Sequence, residues 1–238
     1  VTVDRGHRLA STTWPEVSRG ELVLVPVGST EQHGPHLPLD TDAVIADTVA
    51  REAAIALGAY VTPPIAFGSS GEHQSFAGTV SIGTDALRTV LVELVRSLRT
   101  WAGPVLFVNA HGGNLTAVDA AVEQLRTERH TVGWVACATE NVDLHAGRTE
   151  TSLMLHLRPD QVRLERAAAG DTRPLRDILP LMIAGGVAAI SANGVLGNPA
   201  GASAAEGAEI VASMVSDVVA AGRLLTGVSE LAPSGAAG

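Results

Sequence analysis

Short apolar runs rich in valine alternate along this chain with longer segments whose apolar residues recur at helical spacing. The run from Glu21 to Gly28, ELVLVPVG, is almost wholly apolar and is bounded by Gly20 and by Ser29-Thr30, as a parallel strand buried on both faces would be. Residues 42–58 then place Ala46, Val49, Ala50, Ala53 and Leu57 on one helical face, with Gly58 as a stop. AYVTPPIAF, residues 59–67, predicts a strand interrupted near its end by two prolines. Residues 85–101 give the clearest helix, with Leu87, Val90, Leu91, Leu94, Val95, Leu98 and Trp101 on one stripe. Strands are predicted over 104–111 (PVLFVNAH) and 131–139 (TVGWVACAT), on either side of a helix over 115–127 carrying Leu115, Val118, Val122 and Leu125. A helix over 149–157 follows. Residues 159–200, rich in proline, glycine and polar side chains, give no periodic assignment. A helix from about 205 to 225 and a small-residue tail over about 228–238, expected to fray, complete the chain.

Strands that alternate with helices of three or more turns imply right-handed crossovers and a mainly parallel sheet covered on both faces. The expectation is an α/β protein, a three-layer α/β/α sandwich, forming a single domain over residues 1–238. Ligands of such sheets bind beyond the carboxyl ends of the strands. EQHGPH and AHGGN each directly follow a predicted strand, so both turns should open at the same edge.

Composition narrows the chemistry. The formal net charge is −9 with no basic stripe, which removes the electrostatic term that nucleic acids and anionic membranes require. All 16 basic residues are arginines, and without lysine there is no Schiff base, no lysine-anchored pyridoxal phosphate and no P-loop. Cys137 is the only cysteine and lies in an apolar run, so it reads as core and gives no disulfide, thiolate zinc cluster or redox pair. The opening VTVDRGHRLASTTW has no secretory pattern and no long apolar run occurs, so the expected setting is soluble and cytoplasmic.

The chemistry-bearing residues cluster in the turns. Glu31 and His33 are two apart, so an extended segment would point both to one side. His36 follows, and Asp42 stands at the start of the first long helix, from which a carboxylate can bridge two cations. The histidines His33 and His36 with the carboxylates Glu31 and Asp42, all within twelve residues, suit zinc, iron or manganese better than calcium. Capping carboxylates and satisfied loop histidines are the plainer reading of the same spacing. His111 shifts the balance, because it ends an independent strand at the same edge, beside two glycines. His145 and Glu150, in HAGRTETS, come from a third turn; Glu150 reads equally as a ligand and as an exposed first-turn carboxylate favoured by the helix dipole. His73, in GEHQSF, and His36 are the candidates for substrate contact.

At these residues the sequence resembles the creatininase family, whose mark is a strand followed by E-Q-H-G-x-H-L-P, an aspartate shortly after, and a later N-x-H-x-x-N turn; here they read EQHGPHLPLDTD and NAHGGN. The resemblance runs from about residue 21 to 157 and continues weakly to about 210. It implies a compact α/β fold, homo-oligomeric assembly and a binuclear centre of two divalent ions per subunit, Fe2+ or Zn2+ or alternatively Mn2+, that hydrolyses a carbon-nitrogen bond. Glu31, His33, Asp42 and His111 match the family's ligands, with Asp42 as the bridge. The chain departs from creatininase where that enzyme has a glutamate ligand two residues after the last histidine. Gly113 stands there, which argues against creatinine as substrate and makes Glu150 the candidate carboxylate, as ligand or acid/base. His145 is then the candidate proton carrier. LVPVGSTEQHGPHLPLDTD, GEHQSFAGTVSIGT, FVNAHGGN, HAGRTETSLMLH and GGVAAIS resemble a peptidase branch of the family, implying a modified ribosomal precursor peptide as substrate and release of its C-terminal Val-Tyr-derived dipeptide. A small cyclic amide or formamide is the alternative substrate, and a catalytically inactive metal-binding regulatory protein is the alternative of another class.

Overall fold

The computed structural model describes residues 7–138 and 143–227. Five strands, β1 (His7–Arg8), β2 (Val23–Val27), β3 (Tyr60–Val61), β4 (Val105–Asn109) and β5 (Val132–Ala136), form one sheet in the order β1-β3-β2-β4-β5. Every pairing is parallel. The helices are α1 (Thr41–Leu57), α2 (Thr84–Leu98), α3 (Leu115–Thr127), α4 (Arg148–Leu157), α5 (Leu175–Gly185) and α6 (Ala204–Thr226). The strand expected over 131–139 ends at Ala136, and its last residue, Thr139, lies outside the described residues, as does the tail over 228–238.

The strands are apolar on both faces because both faces are covered. Val23, Val25 and Val27 of β2 and Val105 and Phe107 of β4 pack with Leu87, Leu91 and Val95 of α2 and Val118 and Leu125 of α3. Leu24, Leu106 and Val108 point the other way, to Ile45 and Val49 of α1, Leu153 of α4, and Val211, Met214 and Val218 of α6. A period of two thus sorts one continuous apolar run into two cores.

The expected strand over 59–67 is much shorter than its apolar pattern, because Pro63 and Pro64 supply no N–H to a ladder. The chain touches the sheet again at Ile65, whose N–H donates to the Pro26 carbonyl at 2.9 Å. The stretch 159–200, unassigned from sequence, holds α5, short 3-10 turns and a return at Val195–Leu196 against the histidine-rich edge. No helix among the described residues is long and apolar enough to cross a membrane.

Candidate metal centre

The carboxyl ends of β2 and β4 are drawn together by close backbone contacts. A Cβ on Gly28, just past β2, would overlap the backbone of Ala43, so α1 starts directly against the strand end. That approach sets Asp42 beside Ser29, whose hydroxyl donates to Asp42 Oδ2 at 2.8 Å. Two asparagines hold the turn after β4. Asn114 Nδ2 donates to the Gly28 carbonyl at 3.0 Å and to Asn109 Oδ1 at 3.1 Å, while Asn114 Oδ1 accepts from Ser69 N–H at 2.8 Å. Asn109 Nδ2 donates to the His111 carbonyl at 2.8 Å. The N-x-H-x-x-N spacing is therefore a clamp that presents His111.

Glu31, His33, Asp42, His111, His73, His145 and Glu150 converge in this frame. His33 Nε2 lies 3.0 Å from Asp42 Oδ1 and 4.0 Å from Glu150 Oε2. His111 lies 3.2 Å from Asp42 Oδ2 through Nδ1 and 3.2 Å from Glu31 Oε2 through Nε2. Glu31 Oε1 faces His73 Nε2 at 3.4 Å and His145 Nδ1 at 3.7 Å. Three sets bring their ligand atoms close enough to share an ion: Glu31, Asp42 and His111; His33, His145 and Glu150; and Glu31, His73 and His145.

The electrostatics are those of a site built around positive charge. Burial, opposed by the charge on His111, pushes the Glu31 carboxyl up to about 7. Burial disfavours the imidazolium of His33, but the carboxylate of Asp42 outweighs it and raises the ring to about 10. His111 is raised to about 9 in the same way, burial being overcome by Glu31 and Asp42. Burial also works against an ionised Asp42, yet His33 and His111 hold it well below the ordinary carboxylate range. Glu150 is pushed up to about 7, chiefly by burial. Burial and the neighbouring His111 push His73 down to about 3, and burial with His33 takes His145 well below its usual value.

No hydrogen bond of good geometry reaches either oxygen of the fully buried Glu31, whose nearest imidazole nitrogens are His111 Nε2 at 3.2 Å and His73 Nε2 at 3.4 Å. A buried carboxylate without donors is costly unless a cation balances it. Together with Asp42, Glu150 and the imidazoles, this orphaned pair of oxygens fits zinc, iron or manganese.

His36 takes another direction. Its Nε2 meets Thr151 Oγ1 at 2.9 Å, and that hydroxyl donates to the Gly147 carbonyl at 2.6 Å, tying the EQHGPH turn to the start of α4. Glu150 stands in the first turn of α4, where Oε2 accepts from Ala146 N–H at 2.5 Å and lies 4.0 Å from His33 Nε2. Gly113 has no room for a side chain, since a Cβ would strike the Ser69 carbonyl and the His111 ring, and Glu72 Oε1 lies 3.8 Å from His111 Nε2. Ser29, Gln32, Glu72, Asn109 and Asn114 were not singled out by sequence reasoning. The asparagines were legible in the motif spacing, whereas the partners of Gln32 and Glu72 are long-range.

A cavity of about 270 Å³, lined by Ile45, His111, Leu115, Cys137, Glu150 and Met214, adjoins the cluster. It shares Asp143, Leu144 and Thr149 with an open cleft of about 750 Å³. Burial pushes the Cys137 thiol up to about 12, consistent with an inert wall residue.

The creatininase family model, described as creatinine amidohydrolase, matches residues 10–221. The mycofactocin precursor peptide peptidase of Mycobacterium ulcerans is 51% identical over 217 residues, covering 87% of this chain and 84% of its own. That of Mycolicibacterium smegmatis is 54% identical over 200 residues, covering 82% and 81%. A solved creatininase mutant of Zn-Zn type superposes with a TM-score of 0.77 at 26% identity, covering 91% of this chain and 97% of the other.

Proposed function

This chain belongs to the creatininase family of amide-bond hydrolases, and from that premise we propose that it is a metal-dependent peptidase that releases the modified C-terminal Val-Tyr-derived dipeptide from a ribosomally made mycofactocin precursor peptide. The observation that carries the reading is a buried carboxylate-imidazole cluster whose adjoining cavity shares Asp143, Leu144 and Thr149 with an open cleft of about 750 Å³, a volume that suits the end of a peptide.

Glu31, His33, Asp42 and His111 are the residues that would hold two divalent ions, with Glu150 beside His33. Asp42 suits a bridging position, because Oδ1 addresses His33 and Oδ2 addresses His111. When bound, such ions acidify a water to near neutrality and polarise a carbonyl. Glu150, 22% exposed and set on the cavity wall, is pushed up to about 7 by burial, so near neutral pH it can take up a proton and pass it on. His36 acts at a distance, fixing the first turn of α4 through Thr151. Self-association, which the family resemblance implies, has an apolar surface available on α5, where Leu179 and Ile183 are exposed.

The test is mass spectrometry of a precursor peptide already cross-linked at its terminal valine and tyrosine, incubated with iron- or zinc-loaded protein and with a chelated control. Release of the dipeptide in the loaded sample alone is expected. Two ions bound with no release, and turnover of a small cyclic amide instead, would overturn the peptide reading and keep the centre.

A further inference from the structure

Three of the four imidazoles in the cluster follow one rule, and the fourth inverts it. His33 Nδ1 lies 3.1 Å from the Glu31 carbonyl, His111 Nε2 lies 3.1 Å from the Ser69 carbonyl, and His145 Nε2 lies 2.7 Å from the Gln32 carbonyl. A backbone carbonyl only accepts, so each of these nitrogens carries a proton. Each ring then turns its other nitrogen to the carboxylates: His33 Nε2 to Asp42, His111 Nδ1 to Asp42, and His145 Nδ1 to Glu31; in His111 the protonated Nε2 also lies 3.2 Å from Glu31 Oε2. One ring N–H on a backbone acceptor, with the opposite nitrogen directed inward, is the arrangement of an imidazole that coordinates a metal.

His73 differs because its outward nitrogen meets a donor. The orientation of the Gln32 amide is fixed independently at both ends: Oε1 accepts from Gly34 N–H at 2.9 Å, and Nε2 donates to the Gly194 carbonyl at 3.0 Å. The same Nε2 is 2.8 Å from His73 Nδ1, which must therefore accept. A neutral His73 then carries its proton on Nε2, the atom 3.4 Å from Glu31 Oε1. Gln32 Nε2 is also 3.1 Å from His145 Nε2, but that nitrogen is already protonated toward the Gln32 carbonyl, so the two protons of the amide go to His73 and Gly194.

We propose that Gln32 is a positioning residue that gives two neighbouring histidines opposite faces toward the centre: His145 presents a bare Nδ1, able to coordinate a cation, and His73 presents an N–H, able to donate but not to coordinate. Both rings hold the same tautomer, with the proton on Nε2, and differ only in which end faces Glu31. His145 thereby adds a nitrogen beside those of His33 and the carboxylate of Glu150, and His73 is left to hold an oxygen of Glu31 or of the substrate. The inference rests on reading the cluster as a metal centre and is independent of the peptide assignment.

The test uses the full chain labelled with nitrogen-15 at histidine, first chelated and then titrated with Zn2+, with long-range proton-nitrogen spectra assigned through single His73→Asn and His145→Asn variants. The expected result is a proton on Nε2 of both rings, and a zinc-dependent shift of His145 Nδ1 that leaves His73 Nδ1 unchanged. A proton on Nδ1 of His145, or a zinc shift at His73 Nδ1, would overturn the assignment. Gln32→Glu, which places an acceptor beside His73 Nδ1, should move the His73 proton to Nδ1 and leave a bare Nε2 that shifts on zinc binding. Gln32→Met, which removes the donor at similar length, supplies the same comparison should the buried carboxylate prevent folding. Unchanged His73 signals in the folded variant would also overturn the proposal. Failure of peptide cleavage with these spectra intact would count against the substrate alone.

Discussion

Two regions of this protein are equally shut off from water and opposite in chemistry. Leu87, Leu91 and Val95, on the α2 side of the sheet, are 0% exposed, and so are Glu31 and His33 at the carboxyl edge of β2. Each apolar side chain gains about 1.5–3 kcal/mol from that burial. At the edge the same exclusion of water pushes Glu31 up to about 7 and leaves both its oxygens without a well-formed hydrogen bond. Burial is thus the source of stability in one region and, in the other, a cost held in reserve for a cation.

The largest effect is expected of Asp42→Ala, which removes the carboxylate facing both His33 and His111. Metal content by plasma emission spectroscopy should fall to background and peptide cleavage with it; a variant that keeps both would remove Asp42 from the centre. Leu91→Ala tests the other side. It should cost about 2–5 kcal/mol in denaturant unfolding, yet leave the metal content of the folded fraction unchanged.

Next in size is an opposite response to pH. His33 and His111 are raised in the folded chain to about 10 and about 9, so their stabilisation is complete below about 6.5 and is lost as pH rises through those values. Glu31 and Glu150, raised to about 7, are penalised on ionising, so stability also declines as pH rises from about 4.5 through 7. Asp42 is depressed and opposes this trend only in acid, below its ordinary range. His36, His73 and His145 are depressed and add stability as pH rises to about 6.5, which offsets the two carboxyls, so the melting temperature of the chelated protein should fall between about pH 7 and pH 10. With saturating metal the decline should shrink or reverse, because the ion competes with the protons on its ligands. Parallel melting curves for both forms would contradict the coupling of charge and burial at this edge.

Thr151→Val should cost about 1–3 kcal/mol by leaving His36 and the Gly147 carbonyl without their shared hydroxyl, and it should slow turnover through Glu150 more than it weakens substrate binding, which separate kcat and KM values would resolve. The smallest effect is expected at Ile183, 79% exposed on α5, where Ile183→Ser should change unfolding by no more than about 0.5 kcal/mol while weakening self-association in sedimentation velocity.

The parallel sheet and five of its covering helices were legible because their patterns are local: valine-rich runs, helical stripes, and glycine stops such as Gly58, which adopts the left-handed conformation at the end of α1. Glu31, His33, Asp42 and His111 were legible because each sits at a strand end or helix start that the alternation places on one edge. α5 was not, since Pro174 and Pro180 and an apolar composition without a clear polar face obscure its period. The role of Gln32 was not legible either, because its partners His73, His145 and Gly194 lie 41, 113 and 162 residues away.

Read alone, the chain gives the alternation of β2 to β5 with α1 to α4 and α6, the edge at which the ligand residues meet, and the residue types that converge there, because these follow from periodicity and from connection rules that act over neighbouring elements. Tertiary structure alone decided which ring nitrogen of each histidine faces the carboxylates, that His36 turns to Thr151, and that Gly113 has no space for a side chain. The reason is physical: a proton's location and a side chain's room depend on the nearest atoms in space, and around this centre those atoms come from segments far apart in the chain.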